Sequence, residues 1–197
     1  MDGVLCRTQH RVRLALLSGW CGRSPEAIQE AIFESGFEHD AECGRLSADE
    51  YLRGYSDRLQ YPLTAEQWVH ARRTAMEPDT EVLGFAKALG ANLQVAMFTN
   101  NPFLLQRHFD EVFPAAADLF GTRAVFSAEL GHRKPAQEAF GRLAVRLGVA
   151  PDEILYFDDD ASYVEGARAV GLSAVVVGGA TDVLAGLTAH GLNELAS

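Results

Sequence analysis

The strongest constraint on the fold is the order of segments after Asn92, where short apolar stretches alternate with helical ones. The predicted strands are Leu93–Phe98, Ala124–Phe126, Ile154–Phe157 and Ala174–Val177. The predicted helices that follow them are Pro102–Phe109, Pro135–Leu147, Ser162–Val170 and Thr181–Ala189. Near-continuous apolar strands that alternate with helices are typical of a parallel sheet covered on both faces. The pattern therefore predicts an α/β protein whose ligands collect at the carboxyl ends of the strands.

The segment before Asn92 has a different character, because it is helical in pattern and contains no strand-like run. Ser24 precedes Pro25 and Glu26, which together are typical of a helix start. The pairs Ser47 with Glu50 and Thr64 with Gln67 have the spacing of capping boxes. We therefore predict helices throughout this part of the chain.

Composition narrows the class of function. The formal net charge of −10 argues against a non-specific nucleic-acid binder, which would carry basic stripes. No apolar run approaches the roughly 18 residues of a membrane span, and no segment has the pattern of a signal peptide, so we expect a cytoplasmic protein without membrane attachment. The three cysteines have no metal-type spacing and are expected to be reduced thiols.

Polar residues follow the predicted strands at the ends where ligands collect. Thr99 and Asn100 offer a hydroxyl, an amide and backbone N–H groups, which suit either a phosphate cradle or an ordinary strand terminus before a turn. Asp158, Asp159 and Asp160 follow another strand, and adjacent carboxylates repel one another unless a cation lies among them. The sequence thus predicts a cation site, with Mg²⁺ favoured because it prefers oxygen ligands.

Lysine is rare in this chain, since Lys87 and Lys134 are the only lysines among 17 Lys and Arg residues. Lys134 directly precedes a proline that can begin the next helix, a position from which its ammonium group can reach a site at the strand ends. The alternative is a solvated surface lysine.

Four segments, in this order and at these distances, resemble motifs of the haloacid dehalogenase superfamily of phosphohydrolases. They are Met1-Asp2-Gly3-Val4-Leu5, Phe98-Thr99-Asn100, Gly131-His132-Arg133-Lys134-Pro135 and Tyr156-Phe157-Asp158-Asp159-Asp160. The resemblance implies a Rossmann-like three-layer α/β core (residues 1–7 and 77–197) and an inserted small helical cap of the C1 type (residues 8–76), which lids the site and selects substrate.

The resemblance also implies roles for individual residues. Asp2 would be the acid/base and, through its backbone carbonyl, a Mg²⁺ ligand, whereas Thr99 and Asn100 would hold the phosphate. Lys134 would neutralise the phosphate and the nucleophile. Asp158 and Asp159 would be the metal ligands, with Asp159 the more direct of the two.

Two features depart from the family pattern. The nucleophilic Asp of the first motif would stand immediately before Met1, at the end of a central strand. We therefore expect the natural protein to begin upstream. Without that strand, we expect the strands at Leu93–Phe98 and Ile154–Phe157 to flank a gap or to be forced together. Tyr163 stands where relatives carry Asp or Asn, which affects the outer metal shell.

The resulting hypothesis is a Mg²⁺-dependent phosphatase of a small phosphorylated metabolite, working as a monomer or homodimer. Within the superfamily, the Gly44-Arg45-Leu46-Ser47 segment and the region from Pro62 to Trp68 are similar to bacterial alpha-glucose-1-phosphate phosphatases and to the N-terminal phosphatase domain of soluble epoxide hydrolases. Two alternatives stay open. One is a catalytically inactive binding or regulatory domain, and the other is a 2-haloacid dehalogenase, which would not need the cation that the three adjacent aspartates favour.

Overall fold

The computed structural model describes residues 1–196 and contains six short strands within them. These are β1 (Cys6–Thr8), β2 (Met76–Pro78), β3 (Met97–Thr99), β4 (Ala124–Phe126), β5 (Leu155–Asp158) and β6 (Ser173–Val176). Strands β1 and β2 pair antiparallel at the two ends of the helical segment, whereas β3 pairs with β4, and β5 with β6, in parallel. The predicted α/β class is confirmed.

The two parallel pairs do not share a ladder within residues 1–196. Strands β3 and β5 therefore belong to separate sheets, which is the gap that the sequence predicted between these two segments. The predicted strand Leu93–Phe98 is shorter than expected, because its ladder with β4 covers only the residues from Met97 to Thr99. Strands β5 and β6 lie within one residue of their predicted bounds.

The segment between β1 and β2 is helical, as predicted, but strand β2 itself contradicts the expectation of helices throughout, because Met76–Pro78 pairs with β1. Its helices are α1 (His10–Cys21), α2 (Pro25–Ile28), which continues into a π-helical turn (Gln29–Glu34), α3 (Phe37–Glu42), α4 (Ala48–Leu59) and α5 (Ala65–Thr74). Ser24 caps α2, and the two predicted capping boxes, Ser47 with Glu50 and Thr64 with Gln67, both form. The division of the chain into a core domain and a cap domain stays a prediction.

The remaining helices connect the strands of the α/β segment. They are α6 (Thr80–Leu89), α7 (Phe103–Arg107), α8 (Phe109–Val112), α9 (Pro114–Phe120), α10 (Ser127–Leu130), α11 (Gln137–Leu147), α12 (Ala161–Arg168) and α13 (Ala180–Ala189), with 3₁₀ turns at Gly121–Arg123, Pro151–Glu153 and Asn193–Ala196. The single helix predicted at Pro102–Phe109 was wrong in one respect, because His108 leaves helical geometry (φ −113°, ψ 26°) and divides it into α7 and α8. None of the helices described in residues 1–196 has both the length and the apolar character of a membrane span.

One apolar cluster joins the helical segment to the α/β segment, and a second contains residues of all four parallel strands, β3 to β6, and of α11 and α12. Close packing of backbone supports the first junction at Gly44, which has φ +70° and lies against the carbonyl oxygen of Ala128. A side chain at position 44 would overlap that oxygen. The loop between α3 and α4 is thereby held against the start of α10.

Replacing Gly44 with Ala should therefore destabilise the fold by at least about 2 kcal/mol, since the new methyl group meets both an unfavourable φ and a backbone oxygen. The matched substitution is Gly84→Ala in α6, where a Cβ has no neighbour within 4 Å. That change should stabilise by up to about 1 kcal/mol through helix propensity. Urea unfolding of the two variants measures both effects, and equal stabilities would contradict the close contact at Gly44.

Candidate active site

The amino-terminal turn and the end of β5 meet at one place. The backbone N–H of Gly3 donates to the carbonyl oxygen of Cys6 at 2.8 Å, and the N–H of Leu5 donates to that of Met1 at 2.8 Å. Gly3 has φ +80°, and a Cβ there would overlap the carboxyl group of Asp159. The absence of a side chain at Gly3 thus lets the turn that carries Asp2 lie directly against Asp159.

The carboxylate of Asp2 is held by side chains from distant parts of the chain. Nη2 of Arg72, in α5, lies 2.8 Å from Oδ2 and 2.9 Å from Oδ1. The hydroxyl of Thr8 donates to Oδ1, and Nδ2 of Asn101 lies 3.5 Å from Oδ2. Burial raises the pKa of Asp2, but the charges of Arg72 and of the Met1 amino group, together with hydrogen bonds from Thr8 and Arg72, outweigh burial, and the pKa lies well below its usual range. Asp2 is therefore ionised at neutral pH.

Thr99 and Asn100 follow β3, as predicted, but they make different contacts. The buried hydroxyl of Thr99 accepts a hydrogen bond from Nδ2 of Asn101 at 2.7 Å. Asn100 forms a reciprocal pair with the backbone of Lys134, with Nδ2 donating to its carbonyl at 3.0 Å and Oδ1 accepting from its N–H at 2.9 Å. Asn100 thus positions the lysine.

Lys134 is buried, which excludes the solvated alternative. Its Nζ donates to Oδ2 of Asp158 at 2.6 Å and to the hydroxyl of Tyr156 at 2.9 Å. The ammonium also lies 4.8 Å from the centroid of the Tyr163 ring, a distance typical of a cation–π contact. The tyrosine that departs from the family pattern therefore faces the lysine.

The three adjacent aspartates lie in three different environments. Burial raises the pKa of Asp158, but Lys134 reverses the effect and the net shift is downward. Burial and the charge of Asp158 raise the pKa of the exposed Asp159. Asp160 caps α12 by accepting from the N–H of Ser162 at 2.7 Å, and this contact with Ser162 lowers its pKa.

The donor set fits a divalent cation that keeps several water ligands. Asp158 and Asp159 are adjacent, and burial together with the charge of Asp158 raises the pKa of Asp159. Mg²⁺ commonly binds through one or two carboxylates. Across residues 1–196 no three acidic, His or Cys side chains cluster around one point, because the Asp2 carboxylate is turned to Arg72. Asp2 could then contribute through its backbone carbonyl.

Two residues of the helical segment, Arg72 and Glu42, enter the site without having been predicted. Oε2 of Glu42, at the end of α3, lies 2.8 Å from Nη1 of Arg133. Burial raises the pKa of Glu42 to about 7, and Arg133 opposes the shift only in part. No sequence signal singled out either residue, because a charged side chain on a helix is usually solvated. A separate open groove of about 590 Å³ lies between α4 and α7, and none of the predicted site residues lines it.

The chain is similar to known hydrolases and phosphatases. Residues 1–171 match a family described as haloacid dehalogenase-like hydrolase. The chain is 31% identical over 145 residues to Phosphatase MT3486 of Mycobacterium tuberculosis (74% of this chain, 59% of that protein). It is 28% identical over 143 residues to D-ribitol-5-phosphate phosphatase of Bacteroides thetaiotaomicron (70% of this chain, 69% of that protein). The chain thus spans 59% of the length of the mycobacterial relative.

Solved structures share the fold. HAD family enzyme bt-2542 of Bacteroides thetaiotaomicron, in complex with magnesium and inorganic phosphate, superposes with a TM-score of 0.73 at 19% identity and covers 89% of this chain and 90% of its own. A predicted HAD-like family hydrolase of Porphyromonas gingivalis gives 0.73 at 22% identity, with 89% and 86% covered. The finer resemblance to glucose-1-phosphate phosphatases and soluble epoxide hydrolases stays a prediction.

Arg72→Leu should lower the free energy of unfolding at pH 7 by about 2 kcal/mol, because it leaves the half-buried charge of Asp2 unpaired. The loss should be smaller when Asp2→Asn is also present. Since the folded-state pKa of Asp2 is depressed, the pair stabilises the fold above the ordinary pKa of 3.8 and its contribution disappears as the pH falls. Urea unfolding of the double-mutant cycle at pH 7 and pH 3 measures the coupling, and additive losses at pH 7 would contradict it.

Proposed function

The chain belongs to the haloacid dehalogenase-like hydrolase family, and we propose that it acts as a Mg²⁺-dependent phosphatase that hydrolyses a small phosphomonoester through an aspartyl-phosphate. The observation that carries the proposal is the buried Lys134–Asp158 pair beside the exposed carboxylate of Asp159 and the turn of Asp2. One relative is named a D-ribitol-5-phosphate phosphatase, which makes phosphorylated metabolites with polyol or sugar leaving groups the first substrates to test.

Each residue of the site has a role in this chemistry. The ammonium of Lys134 would neutralise phosphate oxygens, and the hydroxyl of Thr99 with the backbone N–H of Asn100 would offer donors to them. Asp158, Asp159 and the backbone carbonyl of Asp2 would hold the cation. When bound, Mg²⁺ neutralises the phosphate and fixes its orientation.

The contact between Asp2 and Arg72 has different effects on the two proton transfers proposed for Asp2. An ionised Asp2 can accept the proton of an attacking water. To donate a proton to the leaving alcohol it must first be protonated, which the charge of Arg72 opposes. Proton donation therefore requires this contact to loosen, and because Arg72 lies on α5, movement of the helical segment would couple substrate entry to the state of Asp2.

The nucleophile in this proposal is an Asp placed directly before Met1. The amino group of Met1 is buried, and burial and the charge of Lys134 lower its pKa. A residue added at this point therefore lies close to the lysine. Asp2 does not replace the nucleophile, because Arg72 and Thr8 hold its carboxylate, and an error of roughly 1 Å in attack geometry already costs about a hundredfold in rate.

A second candidate is a catalytically inactive domain that binds phosphorylated ligands. The observations that favour it are the engagement of the Asp2 carboxylate by Arg72 and the aromatic ring of Tyr163 beside Lys134. Phosphate binding without turnover in a chain that carries the added Asp would support this candidate. A cytoplasmic location and a monomeric or homodimeric state remain part of the proposal.

We expect residues 1–197 to hydrolyse para-nitrophenyl phosphate no faster than a blank. A chain extended by an apolar strand ending in Asp should gain turnover that depends on Mg²⁺, and Lys134→Ala in that chain should remove at least about 99% of it. Phosphate release measures the rates, and the same extension ending in Asn is the control. Robust turnover by residues 1–197 that Asp2→Asn leaves unchanged would contradict the assignment.

Mg²⁺ should bind weakly to residues 1–197 and more tightly to the chain extended by Asp, because each added carboxylate supplies a ligand. Asp159→Ala should abolish binding in both chains. Asp160→Asn is the matched control, since Asp160 caps α12 and should leave Mg²⁺ affinity unchanged within about twofold. Calorimetry that gives residues 1–197 and the Asp159→Ala variant the same affinity would exclude the site.

A further inference from the structure

Asn101 contacts two residues of the proposed active site through one side-chain amide. Its Nδ2 donates to the hydroxyl of Thr99 at 2.7 Å and lies 3.5 Å from Oδ2 of Asp2. Asn101 and Thr99 are buried, whereas the side chain of Asp2 is 35% exposed. The amide therefore connects the buried end of β3 with the open side of the site. The chemistry proposed for the site leaves this side chain without a role.

The backbone of Asn101 is fixed independently of these two contacts. Its N–H donates to the hydroxyl of Ser127 at 3.1 Å, and that hydroxyl donates to the backbone carbonyl of Glu42 at 2.7 Å. The preceding Asn100 uses its amide differently, because both of its polar atoms bind the backbone of Lys134. The side chain of Asn101 is thus held at the end of β3 and is free to bind Thr99 and Asp2.

The partners of the amide determine its orientation. A carboxylate only accepts hydrogen bonds, so Asp2 favours the orientation in which Nδ2, and not the amide oxygen, faces it. In that orientation an N–H points at Thr99, whose hydroxyl must accept it. A hydroxyl has one hydrogen and two acceptor positions, so accepting from Asn101 leaves its hydrogen for another partner. Within residues 1–196 the Thr99 hydroxyl donates to no acceptor.

We propose that Asn101 is a positioning residue, which directs the hydroxyl hydrogen of Thr99 towards an oxygen of the phosphate. This inference rests on the proposed function and deepens it, since Thr99 is there a donor to the phosphate. Without the amide, the hydroxyl could rotate among three staggered positions. With the amide, the donor is oriented before the phosphate arrives, and such preorganised donors stabilise charge most effectively.

Two substitutions separate the direction of this hydrogen bond from the volume of the side chain. Asn101→Asp keeps the shape but has no hydrogen to donate when ionised, so the carboxylate would accept from the Thr99 hydroxyl and hold its hydrogen away from the phosphate. Asn101→Leu has a similar volume and makes no hydrogen bond. If Asn101 only fills space, the hydroxyl of Thr99 should contribute equally in all three chains.

Calorimetry of inorganic phosphate with residues 1–197 at saturating Mg²⁺ tests the inference through the loss that Thr99→Val causes. With Asn101 present, this loss should be at least about tenfold in affinity, because a donor to a charged group is removed. With Asn101→Leu it should be about threefold smaller, since the free hydroxyl populates three positions. With Asn101→Asp it should be under about twofold, because the hydrogen is already bound. Comparison within each background cancels the repulsion between the added carboxylate and the phosphate.

Control variants show that the effect belongs to the hydroxyl and to position 101. Thr99→Ser keeps the hydroxyl and should recover most of the affinity that Thr99→Val loses. Asn92→Asp makes the same change at an exposed position, where Thr99→Val should keep its full loss of about tenfold. Circular dichroism checks that each variant is folded. Asn101→Ala, with the same expectation as Asn101→Leu, replaces either variant at position 101 that is not.

The outcomes separate this inference from the proposed function. Equal losses for Thr99→Val in all three backgrounds would overturn the inference, because the direction of the hydrogen bond would not matter. A loss below about twofold with Asn101 present would overturn it too, since Thr99 would not be a donor to the phosphate. In both cases, phosphate binding that Lys134→Ala abolishes would leave the proposed function standing. If residues 1–197 bind no inorganic phosphate, the proposed phosphate site fails and the inference fails with it.

Discussion

The buried ion pair of Lys134 and Asp158 holds the two halves of the α/β segment together at the site. Either charge alone would cost several kcal/mol in this interior, and the pair is sustained by its 2.6 Å contact and by the hydroxyl of Tyr156. Asn100 binds the backbone of the same lysine from the end of β3. Because β3–β4 and β5–β6 share no ladder within residues 1–196, these side chains help to fix the strand ends relative to one another.

Two further ion pairs connect the helical segment to the rest of the chain. Arg72 contributes a cation to the acidic turn of Asp2, and Glu42 contributes an anion to Arg133. Both contacts lie between the segments, so opening of the helical segment would expose four charged side chains. In the proposed function, a phosphate ester that reached these arginines would compete with Asp2 and Glu42 for them.

Local patterns in the sequence predicted the helix caps, most strand ends and the residues that stand there, because each depends on near neighbours. Thr99 and Asp158 could be placed by apolar runs that end in polar residues, and Lys134 by the proline that follows it. Arg72 could not, since its contact with Asp2 joins positions 70 residues apart and no spacing rule relates them. The length of β3 could not be predicted from the local pattern either, because a strand extends only as far as its partner does.

The three adjacent aspartates show that residue type alone does not reveal which side chains can bind a cation. Asp158 forms an ion pair with Lys134, and Asp160 caps the N-terminus of α12. Asp159 faces the turn at Gly3, and its pKa is raised. Asp159 is exposed, and burial together with the charge of Asp158 raises its pKa, so its ionised form would gain from a cation. A divalent ion there would relieve the repulsion within the pair while leaving the Lys134–Asp158 contact intact. In the proposed function Asp158 and Asp159 would hold the cation, although no three His, Cys, Asp or Glu side chains cluster within residues 1–196.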